Sequence, residues 1–147
     1  MSPKQKENEA AINSPTFDSD FQKFGTSKIF SDHKNFWKRL AFSESSLNSQ
    51  ASNKSGAFGY FQIMPQSRTG ADVASQFKDA EKLMTSHMSL INDEDRKLAQ
   101  QKGITEEGLM AGVWLGGPGG VKKALRSQGN AKDSNGTSVM SYMKKFS

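Results

Sequence analysis

Glu44 is the residue whose type and placement first point to chemistry. Phe36, Trp37, Leu40 and Ala41 recur at helical spacing, and one further turn of that apolar stripe lands on Glu44. A carboxylate on such a stripe is costly to bury in its ionised form unless it is paired, and lost hydration favours the neutral acid. A glutamic acid kept protonated near neutral pH can donate a proton to a glycosidic oxygen. The position alone also admits a helix-end glutamate turned to solvent. The residues after Glu44 sharpen the choice. Asn48 to Gly59, with Asn53 at its centre, has serine, asparagine and glycine in place of periodicity, which predicts a loop or short hairpin. Phe58, Tyr60 and Phe61 give that segment an aromatic edge, suited either to sugar rings or to core packing. Gln62 adds an amide that can both donate and accept hydrogen bonds.

Other chemistries find little support. The chain has no cysteine, so disulfides, thiolate catalysis and cysteine-ligated zinc are excluded. His33 and His87 stand in no ligand-like spacing, and neither a metal nor an organic cofactor is expected. The glycines of Gly116-Gly117-Pro118-Gly119-Gly120 are not followed by the Lys-Ser/Thr of a phosphate-binding loop.

The elements that must position these residues are helical. Ser31 or Asp32 is expected to cap the helix that carries Glu44, and Pro65 to open the next helical turn. Val73, Phe77, Ala80, Met84, Met88 and Ile91 predict one long helix or two abutting ones. Asn92 caps a further helix with an acidic first turn, which Gly103 closes. Thr105 caps the next, with Ile104 and Leu109 placed as a hydrophobic staple. Leu109, Met110, Val113 and Trp114 form its buried face until the glycine-proline run breaks it, and Val121 to Arg126 restarts a helix. Asn130 to Gly136 reads as a loop. Thr137 begins a last helix with Val139, Tyr142 and Phe146 on one side. The predicted fold is mainly α, with one small β-hairpin or loop element after Glu44.

The 147 residues fit one domain of 16–147 behind a polar, aperiodic tail of 1–15. The net charge of +5 favours a polyanionic partner, but there is no long basic run and no nucleic-acid motif, so nucleic acid is not expected. No apolar run approaches the roughly 20 residues that span a bilayer, so membrane insertion is not expected either.

The stretch Glu44-Ser45-Ser46-Leu47-Asn48, then Ser55-Gly56-Ala57-Phe58-Gly59-Tyr60-Phe61-Gln62-Ile63-Met64-Pro65, resembles the signature of the soluble lytic transglycosylase family. That signature has a Glu-Ser pair followed at a fixed distance by Gly-Ala-x-Gly-x-x-Gln-x-x-Pro. Gln62 stands 18 residues after Glu44, and the two halves fit without a gap. The resemblance covers roughly Phe36 to Val121 and extends to the terminal helix. It implies an α+β lysozyme-like fold, a peptidoglycan glycan strand as substrate, and Glu44 as catalytic acid and base. It makes Ser45 the residue that supports Glu44. Gly56 and Gly59 become points of close backbone approach to sugar, and Gln62 a partner for an N-acetyl group. Ser45, Asn53, Tyr60 and Phe61 join the expected substrate contacts. A later family block, Tyr-Asn-Ala-Gly-Pro-Gly, is matched in part by Trp114-Leu115-Gly116-Gly117-Pro118-Gly119. Trp114 keeps an indole N–H and a flat face, whereas Leu115 offers no polar group. Tyr142 resembles a tyrosine of the family's last helix and is a further substrate-contact candidate.

Hydrolysis of a glycoside ordinarily uses two carboxylates. Between Glu44 and Asp72 there is no aspartate or glutamate, and Asp72, Asp79 and Glu81 sit in no recognisable motif. A lone acid suits a transglycosylase, which cleaves the MurNAc-β-1,4-GlcNAc bond and leaves a 1,6-anhydroMurNAc end. A hydrolytic muramidase and an inactive wall-binding domain remain the alternatives. The residues Met1 to Pro15 have no apolar core after the first lysine, so they are not read as a secretory signal. Delivery within a phage virion is therefore expected, with the tail contacting other virion proteins. A free endolysin is the competitor.

Overall fold

Phe17, Phe21 and Phe24 fall at i, i+4 and i+7, and this stripe, with Phe17 and Phe21 buried, forms the inner side of the first described helix, α1 (Pro15–Phe24). Pro15 opens it, where a missing N–H costs nothing, and Gly25 ends it by donating to the Phe21 carbonyl at 2.8 Å. A computed structural model describes residues 14–126 and 138–147, and the chain divides into two compact units, Met1–Leu83 and Met84–Ser147.

In the first unit a short helix, α2 (Lys28–Ser31), leads into α3 (Lys34–Ser45), which carries Glu44. The expected helical start at Ser31 is corrected on two counts. Among the described residues two helices precede α3, and its N-cap is His33, because Ser31 and Asp32 are already committed to ending α2. The core of the unit is aromatic. Phe77, from α4 (Val73–Met88), lies 5.3 Å from both Phe30 and Phe61 and 5.9 Å from Phe21, ring centroid to centroid. Trp37 is fully buried against Phe30 at 4.7 Å and donates its indole N–H to the Ile29 carbonyl at 2.9 Å. Edge-on and tilted ring pairs of this kind add roughly 0.5–1.5 kcal/mol each beyond the area they bury. Lys38, almost wholly buried on α3, reaches Asp18 of α1 at 2.6 Å and pins the two helices together.

The predicted hairpin is reduced to isolated antiparallel bridges, Ser52 to Phe58 and Phe58 to Ile63, followed by a 3₁₀ turn at Pro65–Ser67. The segment is too tightly folded to run as paired strands. Asn53 turns it, accepting from the Ser55 and Ala57 amides at 2.9 and 3.0 Å.

The second unit follows its sequence signals closely. Asn92 and Asp95 form a reciprocal capping box at the start of α5 (Asp93–Gln101), and Gly103 leaves it at a φ of 75°. Thr105 caps α6 (Glu106–Arg126) by accepting from Gly108 N at 3.1 Å, and the flanking Ile104 and Leu109 are buried. The predicted break in this helix is confined to Gly117, at φ 72° and ψ 173°, after which Pro118 starts the second half. The last helix, α7 (Val139–Lys145), is capped by Ser138 and buries Val139 and Tyr142, with Phe146 just beyond it. Gly108, Gly112 and Gly116 recur every fourth residue along α6 and face this helix. A Cβ at Gly112 would stand 2.5 Å from Met143 Cγ, and one at Gly116 2.6 Å from Val139 Cγ2. Only hydrogen at those positions lets the two backbones approach. The expected tail falls largely, and the Asn130 to Gly136 loop wholly, outside the described residues, as does Thr137. No helix of the described residues is long and apolar enough to cross a membrane.

Candidate active site

Glu44 occupies the last turn of α3 and is partly buried, neither in the core nor free in solvent. Its neighbour Ser45 turns inward and donates its hydroxyl to the Ala41 carbonyl at 2.8 Å. Ser45 therefore fastens the helix end under Glu44 and presents no hydroxyl to a ligand, which corrects its expected substrate contact to one of support. The chain then leaves α3 through two left-handed residues, Ser46 at φ 54° and Leu47 at φ 62°, with the Leu47 amide donating to Ala41 O at 3.3 Å. Among the described residues the third non-glycine with positive φ is Gln62, at 52°. All three lie in the segment that begins at Glu44 and ends at Gln62. Left-handed backbone in residues with a Cβ costs on the order of 1–3 kcal/mol each and survives only where the surroundings impose it.

The bonds that impose it can be followed from atom to atom. The Asn48 amide donates to Ser45 O at 3.1 Å, which ties the loop to the end of the Glu44 helix. The Gly59 amide donates to Ala51 O at 2.8 Å, and the Gln62 side-chain amide donates to Ala51 O at 3.0 Å and Gly59 O at 2.9 Å. Both N–H bonds of the Gln62 amide thus brace the loop, and its Oε1 is the group left to accept from an N–H of a ligand. Arg68 clamps the same segment from its far end, donating to Gly56 O at 2.7 Å and Ile63 O at 2.8 Å, with its guanidinium 5.8 Å from the Phe58 ring.

The aromatic edge turns the other way. Tyr60 and Phe61 are 0% exposed, and their rings pack on Phe17 and Phe77, so both are corrected from sugar platforms to core residues. The Tyr60 hydroxyl donates to Asp20 Oδ2 at 2.6 Å. Burial first, then the Asp20 carboxylate, pushes its phenol far above the usual tyrosine range, so it stays protonated. Gly59 has a φ of 88°, and a Cβ there would collide with the Gln76 amide. Its glycine is required by the protein's own packing, independently of any sugar. Asn53 is exposed, and its Oδ1 holds the turn.

In the second unit Trp114 is partly buried, as is Leu115, and both precede the Gly117 kink. Tyr142 is 7% exposed, with its ring 5.0 Å from Phe146, so packing takes most of its surface.

Sequence reasoning does not single out Asp20, Arg68, Gln76 or Asp79. Gln76 and Asp79 are nearly fully buried, and Asp79 accepts from Thr69 N at 2.8 Å and Thr69 Oγ1 at 2.9 Å. The signal that could have found them is a polar residue beside an apolar helical stripe: Gln76 between Val73 and Phe77, and Asp20 between Phe17 and Phe21.

This architecture is mainly helical, with a bridged loop after a glutamate at a helix end, and is consistent with a mainly α lysozyme-like fold. The transglycosylase SLT domain family matches residues 24–136, and the chain belongs to that family. Its members are lytic transglycosylases that act on peptidoglycan. No curated protein and no solved structure matches the chain significantly.

Proposed function

We propose that the chain is an active lytic transglycosylase in which Glu44 serves as both acid and base. The observation that carries this reading is how five aspartates near Glu44 in sequence are engaged. Asp18 pairs with Lys38 at 2.6 Å, Asp20 holds Tyr60, Asp32 pairs with Lys28 at 3.2 Å, and Asp79 holds Thr69. Asp72 caps α4, accepting from Ser75 Oγ at 2.6 Å, and the Ser75 hydroxyl and amide hold its carboxyl below the usual range. Each of these five already has a partner within the protein, which supports a single-acid mechanism over the two-carboxylate scheme of ordinary hydrolysis.

The chemistry then proceeds without a water. Glu44 gives its proton to the bridging oxygen as the bond from that oxygen to the anomeric carbon of MurNAc breaks. The N-acetyl carbonyl oxygen of the same sugar shields the developing positive charge, with its N–H directed to Gln62 Oε1. The Glu44 carboxylate next takes the proton of the 6-hydroxyl, whose oxygen bonds to the anomeric carbon. The 1,6-anhydro ring closes and Glu44 is restored.

A second reading, an inactive wall-binding domain, is favoured by one residue. Leu115 puts an apolar side chain where the family pattern has asparagine. Clearing of purified sacculi by wild type and by Glu44→Gln separates the two. The proposal expects clearing by wild type and a loss of roughly 10²–10⁴-fold in the variant, the usual worth of a general acid. Equal slopes, or co-sedimentation with sacculi and no clearing by either, overturns it.

A further inference from the structure

The Gln76 side chain, on the first turn of α4, makes three hydrogen bonds, and all go to backbone. Its Oε1 accepts from the Tyr60 amide at 2.8 Å, and its Nε2 donates to Ser49 O at 2.9 Å and Ala71 O at 3.0 Å. The residue is 2% exposed. These partners belong to separate stretches: Ser49 follows the Glu44 helix, Tyr60 precedes Gln62, and Ala71 leads into α4. Gly59 leaves the space the amide fills, since a Cβ there would overlap it. A side chain with both N–H bonds and its oxygen engaged and no solvent access acts as a rigid strut.

We propose that Gln76 is a positioning residue for the reaction at Glu44. It ties the start of the loop at Ser49 to the stretch just before Gln62 at Tyr60, and so sets where the N-acetyl group of the substrate lies relative to the Glu44 carboxyl. Gln62 and Arg68 shape the loop through bonds at Ala51, Gly56, Gly59 and Ile63; Gln76 alone among them joins the loop to α4. Loss of the strut leaves the acid in place and lets the substrate drift. A misplacement of about 1 Å at a reacting centre can cost on the order of 10²-fold in rate.

This inference rests on the transglycosylase reading for its kinetic arm only. Gln76→Ala opens space for water, and Gln76→Met keeps the volume and removes the hydrogen bonds. Each is assayed on soluble glycan strands, with rates normalised to the folded fraction from thermal melts. The proposal expects kcat to fall at least tenfold in the folded protein, more than KM rises, with the pH profile unchanged because Glu44 itself is untouched. A residue needed for folding alone would lower the folded fraction and leave normalised kcat at the wild-type value, which would overturn the proposal. Amide hydrogen exchange on the same variants, without substrate, is the second arm. It expects at least tenfold faster exchange at Gly59, Tyr60 and Gln62, with the α3 amides Leu40 to Ser45 unchanged. Loop amides that stay as protected as in wild type overturn the proposal even if the wild-type chain cuts no glycan, an outcome that by itself would strike only the transglycosylase reading.

Discussion

Gly59 shows how one residue can answer to two demands. The family resemblance explains it by close approach to sugar, whereas the structure requires it for the Gln76 amide and for a φ of 88°. Gly59→Ala is therefore expected to destabilise the protein by about 1–3 kcal/mol through overpacking and to displace the strut. A lowered Tm, with Gln76→Ala partly relieving it in the double variant, checks this; additive losses would contradict it. Glu44 and Gln62 are legible in the sequence because the family signature gives them a type and a spacing to match. Gln76 is not, since its bonds go to backbone at Ser49, Tyr60 and Ala71, which any sequence could supply. Tyr60 and Phe61 are ambiguous for a related reason. An aromatic ring suits a sugar face and a core equally, and only burial among Phe17 and Phe77 decides between them.

Among elements, α6 and α7 depend on a groove of small residues. Gly112→Ala puts a methyl 2.5 Å from Met143 Cγ, so the helices must part or Met143 must move. The expected cost is roughly 1–3 kcal/mol, seen as a lower midpoint in chemical denaturation, and Gly119→Ala, which meets nothing within 4 Å, is the control expected to show no clash. Equal midpoints for the two variants would contradict this account of the packing. The capped helices α5 and α6 are readable because Asn92, Gly103 and Thr105 carry local backbone signals. The ten residues of α1 are not. Its stripe of Phe17, Phe21 and Phe24 is short, lies between Pro15 and Gly25, and gains its stability from the rings of Phe30, Tyr60 and Phe77, none of them within the helix itself. Local pattern cannot report a partner supplied by tertiary packing.

For the whole molecule, acid stability turns on Asp95. It is 0% exposed, and its carboxyl meets Lys122 at 2.5 Å and Arg126 at 2.6 Å, joining α5 to the second half of α6. Burial alone would push its pKa up, but the Lys122 ammonium, the Asn92 amide and the Arg126 guanidinium outweigh burial and hold it at about 2. A carboxyl whose folded value is depressed stabilises the fold above its unfolded value of 3.8, and that contribution fades as pH falls toward 2. The stake is on the order of 2 kcal/mol. Tm is expected to drop between pH 4 and pH 2 in wild type, and Asp95→Asn to have a lower Tm at pH 7 with a flatter acid limb. Parallel acid limbs would contradict the assignment. The basic balance of the chain, +5, is plain from composition, yet it names no partner, and the substrate class comes from the family instead.

In the proposed reaction a single carboxyl group closes a ring on the substrate without admitting water. Mass analysis of the muropeptides released from purified peptidoglycan, by wild type and by Glu44→Gln in parallel, tests it most directly. Wild-type fragments are expected one water lighter than reducing-end products, with none above background from the variant. Reducing-end fragments alone from wild type, or anhydro ends made equally well by Glu44→Gln, would contradict it.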